Sequence, residues 1–132
     1  TAQEIAKTYA GKLLTTNKGY INEMIDHVKI GEEILKKGNI DDFGKLLDSA
    51  WKTKKKLSKS ISNSSIDSLY NYALKNGALG GKLLGAGGGG FFLFYAREKS
   101  KNKIIKNNNK IINIPFKFSE SGSEILFKDL KR

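Results

Sequence analysis

Cysteine is absent from the 132-residue sequence, which also contains only one proline and one histidine. Without cysteine the chain offers no thiolate nucleophile, no iron–sulfur cluster and no cysteine-ligated zinc site. A Ser-His-Asp mechanism would depend on His27 alone, because the sequence contains no second histidine and no serine close to His27 in the chain. We interpret His27 as an ordinary surface or boundary residue, and several enzyme classes are excluded together.

Long hydrophobic runs are also absent. The longest unbroken apolar run extends only from Phe91 to Ala96, whereas a membrane-spanning helix needs roughly 20 such residues. Thr1 opens an ordinary amphipathic pattern and not a signal peptide. We therefore expect a cytoplasmic protein with no membrane partner.

Negatively charged residues are few: the sequence contains 13 Asp and Glu residues and 24 Lys and Arg residues, which gives a net charge of +11. Such a field attracts polyanions before any specific contact forms. The excess is spread along the chain, and its densest stretches, Lys52–Lys59 and Lys99–Lys110, lack the interleaved aromatic residues of a nucleic-acid surface. We expect a solvated basic surface and no nucleic-acid partner; the alternative is a basic module that binds a polyanion.

Up to residue 78, apolar residues recur at helical spacing. The pattern predicts four helices, with apolar positions over residues 5–13, 21–35, 43–57 and 66–74. Gly38 ends the second helix, and Gly77 takes the left-handed position after the fourth. Ser64 with Asp67, three residues later, predicts a capping box at the start of the fourth helix.

After residue 78 the pattern becomes that of strands. Lys82–Leu84 and Phe91–Ala96 flank a glycine run, and the second segment is apolar at every position, as in a central strand. A polar helix over Arg97–Asn109 leads to an alternating strand, Ile112–Phe118, and then to a last strand, Glu124–Lys128. This order predicts an α+β fold in which N-terminal helices pack on a small, mostly antiparallel sheet. We expect the whole chain, residues 1–132, to form one domain.

The most informative residues form the glycine run between the first two strands. They are Gly85, Ala86, Gly87, Gly88, Gly89 and Gly90. Such a run reaches backbone angles closed to other residues and leaves N–H groups uncovered, so it can wrap closely around a phosphate group. The alternative is a flexible hairpin bend.

Two known phosphate-binding motifs do not fit this run. Gly85, Gly87 and Gly90 match G-x-G-x-x-G, but the dinucleotide fingerprint needs a helix directly afterwards, and here a strand follows. In a Walker P-loop a Ser or Thr follows the lysine, whereas Leu83 follows Lys82. Neither a Rossmann nucleotide site nor a P-loop is therefore expected.

The stretch Ile66–Tyr95, IDSLYNYALKNGALGGKLLGAGGGGFFLFY, resembles the third sequence motif of the GHMP small-molecule kinases. Its version of the motif is similar to that of bacterial heptose-phosphate kinases. The flanking segments Asp42–Ser58 and Ile114–Phe127 are similar to the same subfamily in order and spacing. Fucose kinases and related sugar kinases share much of this pattern.

The resemblance implies a two-domain enzyme with a ferredoxin-like C-terminal domain. That family moves the γ-phosphoryl group of ATP, with magnesium, onto a sugar hydroxyl. The acceptor implied here is the anomeric hydroxyl of a heptose 7-phosphate, with a fucokinase or galactokinase type as the alternative. The family's first two motifs and the segment with its catalytic carboxylate have no match in this chain. We therefore expect the C-terminal domain of a larger kinase, inactive alone, with no catalytic residue, metal ligand or bound cofactor, and with its own N-terminal kinase domain as partner.

The resemblance also implies which residues meet the sugar phosphate. The run Gly85–Gly90 would lie at the domain interface, beside the N-terminal phosphate loop and the sugar. Lys82 would add positive charge there, or else be solvated. Trp51 shares a helix face with Lys54 or Lys55, and these residues would contact the sugar or its 7-phosphate. The alternative places Trp51 in the core and the two lysines in water.

Overall fold

The computed structural model describes residues 1–106, 108, 111–119 and 121–123. In that part the chain forms helices first and a two-stranded antiparallel sheet second, which confirms the α+β class. The elements are α1 (Ala2–Ala10), α2 (Lys18–Lys37), α3 (Ile40–Lys56), a 3₁₀ turn (Lys59–Ile61), α4 (Ser64–Lys75), β1 (Ala78–Leu83), β2 (Phe92–Ala96) and α5 (Glu98–Lys106).

The two strands form a hairpin that lies against α3. Leu83 pairs with Phe92 next to the connection, and Ala78 pairs with Ala96 at the far end. A Cβ atom at Gly80 would overlap the carbonyl oxygen of Gly44, so two glycines allow the backbones of α3 and β1 to approach this closely. The close packing of α3 fixes where the end of β1 and the following loop lie.

The hydrophobic core lies between α3, α4 and the hairpin. Trp51 has no exposed area and contacts Phe92 edge to face, with ring centroids 5.8 Å apart. Phe92 in turn stacks on Phe94 at 4.9 Å. Such aromatic pairs add about 0.5–1.5 kcal/mol each beyond the burial of their area. The other buried members of this cluster are Leu57, Ile61, Ile66, Tyr70 and Leu83.

The ends of the helices are marked mostly as the sequence predicts. Gly38 and Gly77 have positive φ angles of 75° and 98°, which confirms the left-handed positions after α2 and α4. The capping box at Ser64 is wrong, because Asn63 is the N-cap of α4 and its side chain accepts the Ile66 N–H at 3.0 Å. A membrane-spanning helix is absent from the residues that the structure describes.

Asp67, the other half of the predicted capping box, makes tertiary contacts instead. Its carboxylate accepts hydrogen bonds from Lys55 Nζ at 3.1 Å and from the Ser62 hydroxyl at 2.9 Å. Since α4 begins one residue after Asn63, Asp67 is not at the position from which it could reach back to the N-cap N–H. The same one-residue shift therefore accounts for both departures from the prediction.

Beyond the hairpin, the structure confirms one predicted element and corrects another. Helix α5 lies within the predicted helix, but residues 111–119 form no strand. Their alternating apolar side chains are exposed, Ile112 by 82% and Phe118 by 86%, and no neighbouring strand pairs with them within the described part of the chain. A β-strand needs such a partner for its backbone groups, which alternation alone does not supply. The predicted strand Glu124–Lys128 lies outside the described residues.

Candidate functional site

The glycine loop, residues 84–91, connects β1 to β2. The Leu84 N–H donates to the Phe91 carbonyl at 2.9 Å and closes the loop at its base. Four of its glycines have positive φ angles: 75° at Gly85, 116° at Gly87, 74° at Gly88 and 116° at Gly90. Since side chains disfavour this region, the loop depends on glycine for its shape at these four positions.

Most of the loop N–H groups are free of protein partners. The Gly88 N–H donates to the Ile61 carbonyl at 2.8 Å and ties the loop to the 3₁₀ turn. In the part of the chain that the structure describes, the other N–H groups between residues 85 and 90 make no hydrogen bond. Uncovered N–H groups in a compact turn can donate to an oxyanion, so the loop has the donors that a phosphate group requires.

A concavity of about 470 Å³ lies beside these free groups. The glycine loop forms one wall of it, and Ile5 with the start of α1 forms another. This volume falls in the usual range of small-molecule sites, about 300–1,000 Å³. A Cβ atom on Gly88 would collide with the far end of the Ile5 side chain, whereas a Cβ on Gly89 would meet nothing within 4 Å.

Lys54 packs against the backbone at the start of the loop and does not line this concavity. The residue is only 7% exposed, and its ammonium donates to the Leu83 carbonyl at 3.1 Å and to the Gly85 carbonyl. Burial lowers the pKa of Lys54, and the nearby charge of Lys82 lowers it further. From the sequence, Lys54 was expected either to contact the sugar or to lie in water. In the structure its ammonium instead binds one carbonyl at the end of β1, that of Leu83, and one in the loop, that of Gly85.

Lys82 lies in a different place from the loop concavity. It is half-buried in a mostly apolar groove between α2 and α3, which Met24, His27 and Ala50 also line. Burial lowers the pKa of Lys82. The His27 ring makes a hydrogen bond with the Ser49 hydroxyl through Nε2 at 3.0 Å, so the expectation that no serine lies near His27 was wrong. Lys82 and the glycine loop, adjacent in sequence, therefore face two different surfaces.

Trp51 and Lys55 are occupied by contacts within the domain. From the sequence, Trp51 was expected either to contact the sugar or to lie in the core. The structure places its ring in the core. Lys55 Nζ binds Asp67 at 3.1 Å and lies 5.6 Å from the centroid of the Trp51 ring. The Lys55 ammonium lowers the pKa of the Asp67 carboxyl, mainly through their hydrogen bond. Of the predicted site residues, the structure brings together Lys54 and the run Gly85–Gly90.

Two features of this region are not visible in the sequence. The Ile61 carbonyl anchors Gly88, and Ile5 borders the concavity, although these residues are far apart in the chain. Their apolar character indicates burial but not which surface they meet. Within the described residues, no group of three or more His, Cys, Asp and Glu side chains could hold a metal ion.

Comparison with known proteins identifies the family. The sequence model described as GHMP kinases C terminal matches residues 32–112, which is more than half of the chain. The chain belongs to the GHMP kinase family. Its match is to the family's C-terminal domain, and that domain includes the glycine loop and Lys54.

Two curated relatives indicate the range of sugar kinases that this GHMP domain resembles. It is 35% identical over 81 residues to D-glycero-alpha-D-manno-heptose 7-phosphate kinase of Campylobacter jejuni, covering 61% of this chain and 24% of that protein. It is 33% identical over 86 residues to the bifunctional fucokinase/GDP-fucose pyrophosphorylase of Arabidopsis thaliana, covering 65% of this chain and 8% of that protein. The chain thus spans a quarter or less of these relatives.

The GHMP domain also has a structural neighbour of known fold. The crystal structure of mevalonate kinase from L. major, in complex with R-mevalonate, superimposes with a TM-score of 0.67. The match covers 80% of this chain and 33% of that one at 21% sequence identity. This likeness shows that the two chains share a fold.

Proposed function

We propose that this chain is the C-terminal domain of a two-domain, ATP-dependent sugar kinase, and that the glycine loop borders the active site between the two domains. The observation that carries the proposal is the set of N–H groups between residues 85 and 90 that have no hydrogen-bond partner among the described residues, in a loop that lines a concavity of about 470 Å³. A mere hairpin bend has no need of such donors. In this proposal residues 1–132 are one domain, which acts in the cytoplasm beside its own N-terminal kinase domain.

The proposed substrate is a heptose 7-phosphate, with the γ-phosphoryl group passing to its anomeric hydroxyl. The support is the 35% identity, over 81 residues, to a protein named as a heptose 7-phosphate kinase. The fucokinase relative, 33% identical over a similar length, makes a fucose-type acceptor the second candidate. A panel of sugar acceptors assayed with the full-length enzyme separates the two.

Phosphoryl transfer depends on positioning and on stabilising charge at the transferred group. The free loop N–H groups fit phosphate oxygens, because they donate hydrogen bonds without the bulk of side chains. When bound, ATP with magnesium supplies the phosphoryl group and neutralises part of its charge. In the proposed division of labour, this chain contributes the donors of the glycine loop, and the N-terminal domain contributes the metal ligands and the carboxylate that orients the acceptor hydroxyl.

The first experiment tests this division of labour. We expect negligible kinase turnover from the chain alone, because one of the two proposed domains cannot bring the reacting groups together. Turnover should appear when the N-terminal domain is supplied in trans or when the full-length enzyme is assayed. Measurable turnover by the isolated chain would contradict the proposed role.

A second experiment tests the glycine loop within the full-length enzyme. Gly89→Val places a β-branched side chain in open space, so we expect the fold to persist while ligand approach is blocked and kcat/KM falls by about a hundredfold or more. Gly11→Val is the matched control, because Gly11 is also exposed, has a φ of −66° and has nothing within 4 Å of a Cβ. Equal rates for the two variants would reduce the loop to a hairpin bend.

A further inference from the structure

Lys54 is a buried cation whose partners are backbone carbonyls. Its Nζ lies 3.1 Å from the Leu83 carbonyl oxygen and also binds the Gly85 carbonyl oxygen. No carboxylate of the described residues forms an ion pair with it. Lys52, one half-turn earlier in α3, is exposed and pairs with Asp48 at 2.7 Å, as a surface lysine does. Since an ammonium is costly to bury, its position must be supported by these two carbonyls.

The contact with Gly85 has a consequence for the next N–H group. In a trans peptide the C=O and N–H bonds point in opposite directions within one plane. When Lys54 binds the Gly85 carbonyl, the Ala86 N–H of the same peptide unit points away from Lys54. Ala86 lines the concavity, and its N–H has no partner among the residues that the structure describes.

The contact with Leu83 acts at the base of the loop. The Leu83 carbonyl shares its peptide unit with the Leu84 N–H, which donates to the Phe91 carbonyl at 2.9 Å. The Lys54 ammonium therefore fixes two peptide units. The first joins Leu83 to Leu84 and closes the loop, and the second joins Gly85 to Ala86 and carries the Ala86 N–H. An apolar side chain at position 54 would fill the same space but bind neither carbonyl.

We propose that Lys54 is a positioning residue of the glycine loop: by binding the Leu83 and Gly85 carbonyls, it turns the Ala86 N–H towards the phosphate group of the substrate or nucleotide. Its effect on catalysis rests on the function proposed above, whereas its effect on the shape of the loop does not. In this role Lys54 does not itself touch the sugar.

The effect on the loop is tested in the chain itself with Lys54→Met, which keeps the length of the side chain and removes its charge. The readouts are amide hydrogen exchange and ¹H–¹⁵N shifts. We expect the Leu84 and Gly88 amides, which are hydrogen-bonded in the loop, to exchange about tenfold faster or more, and the Ala86 resonance to move. Amides in α2 and α4 should keep their exchange rates, because the core is unchanged.

Lys52→Met is the matched control, since it removes a lysine from the same helix but only a surface ion pair. Lys54→Arg keeps a cation at position 54 and should restore part of the protection of the loop amides. The positioning role is overturned if Lys54→Met leaves the loop amides as they are in Lys52→Met. It is also overturned if protection falls equally throughout the domain, because that result means a general loss of stability.

The effect on catalysis is tested in the full-length kinase. We expect Lys54→Met to lower kcat by about tenfold to a hundredfold, the usual cost of a lost hydrogen bond to a charged group, with a smaller change in KM for the sugar. Unchanged kcat, together with altered loop amides, would overturn the catalytic part of the proposal. If the wild-type full-length protein phosphorylates no sugar, the proposed function fails, while the amide experiment still decides the role of Lys54 in the loop.

Discussion

Two groups of glycines in this domain serve different physical needs. The packing glycines, Gly44, Gly80 and Gly81, are buried where α3 and the ring of Phe94 press against β1, and a Cβ on any of them would overlap its neighbours. The exposed loop glycines, such as Gly85 and Gly89, have nothing within 4 Å of an added Cβ. The packing glycines are therefore required because a side chain would overlap neighbouring atoms, and Gly85 is required because its φ is positive. At Gly89 neither the space nor the backbone angle requires a glycine.

The largest loss of stability is expected at Gly80, one of the packing glycines. Gly80→Ala places a methyl group against the Gly44 carbonyl and the backbone of Asp48, neither of which can move without displacing α3. We expect the free energy of unfolding to fall by about 3 kcal/mol, a large share of the stability of a small domain. Urea unfolding followed by the fluorescence of Trp51 measures it. A loss below about 0.5 kcal/mol would mean that α3 and β1 leave room for a methyl group at position 80.

An intermediate effect is expected at Gly87, where the two needs coincide. Its φ is 116°, and a Cβ would lie 2.8 Å from the Cα of Ile61. Gly87→Ala should therefore lower the free energy of unfolding by about 2 kcal/mol, through backbone strain and contact together. The same urea titration tests it. A cost as small as that of an open loop position would place Gly87 with the exposed group.

The sequence predicts the parts of this fold that depend on local signals. Helical spacing and the glycines at 38 and 77 locate α2 and α4, and the glycine run marks the loop between the strands. Alternation over Ile112–Phe118 is also a local signal, but strand formation depends on a partner strand. Residues 111–119 form no strand, so this prediction was wrong. Local signals therefore predict elements better than they predict pairing.

The contacts that shape the candidate site are not local. Lys54 reaches carbonyls 29 and 31 residues later in the chain, so its role depends on how α3 crosses β1. The sequence therefore identified Lys54 as a candidate but could not distinguish a sugar ligand from a residue that binds the loop. The separation of Lys82 from the loop concavity has the same origin, because it follows from which face of β1 the side chain occupies.

Lys82, between Gly81 and the loop, differs from the glycines because its effect on stability comes from charge and not from lack of space. It has no ion-pair partner in the described residues, and burial lowers its pKa from the ordinary value of 10.5. Lys82→Met should raise the free energy of unfolding at pH 7 by about 1 kcal/mol, a gain kept small by the partial exposure of the lysine. Thermal unfolding of both proteins measures it.

The pH dependence of that gain has a definite sign. Because the folded pKa of Lys82 is the lower one, the unfolded chain binds the proton more tightly, and the stability of the wild type rises as pH increases towards 10.5. The advantage of Lys82→Met should therefore shrink over the alkaline range. Tyr70 also has a shifted pKa, which both proteins share. Removing the Lys82 charge also removes part of the lowering of the Lys54 pKa, and this contribution has the same sign, because it too disappears as pH rises. A constant or growing difference would contradict burial as the cause.

The smallest effect on stability is expected at Gly89, where the φ is not positive and the space around a Cβ is open. Gly89→Ala should change the free energy of unfolding by less than about 0.5 kcal/mol, and it could even stabilise the chain by restricting its unfolded state. Urea unfolding of this variant beside Gly80→Ala gives the full range of the comparison. If Gly89→Ala is neutral for folding yet lowers kcat/KM of the proposed full-length kinase, the requirement for glycine comes from the ligand. A marked loss of stability would instead mean that position 89 belongs with the packing glycines, and the loop would then owe its composition to the fold.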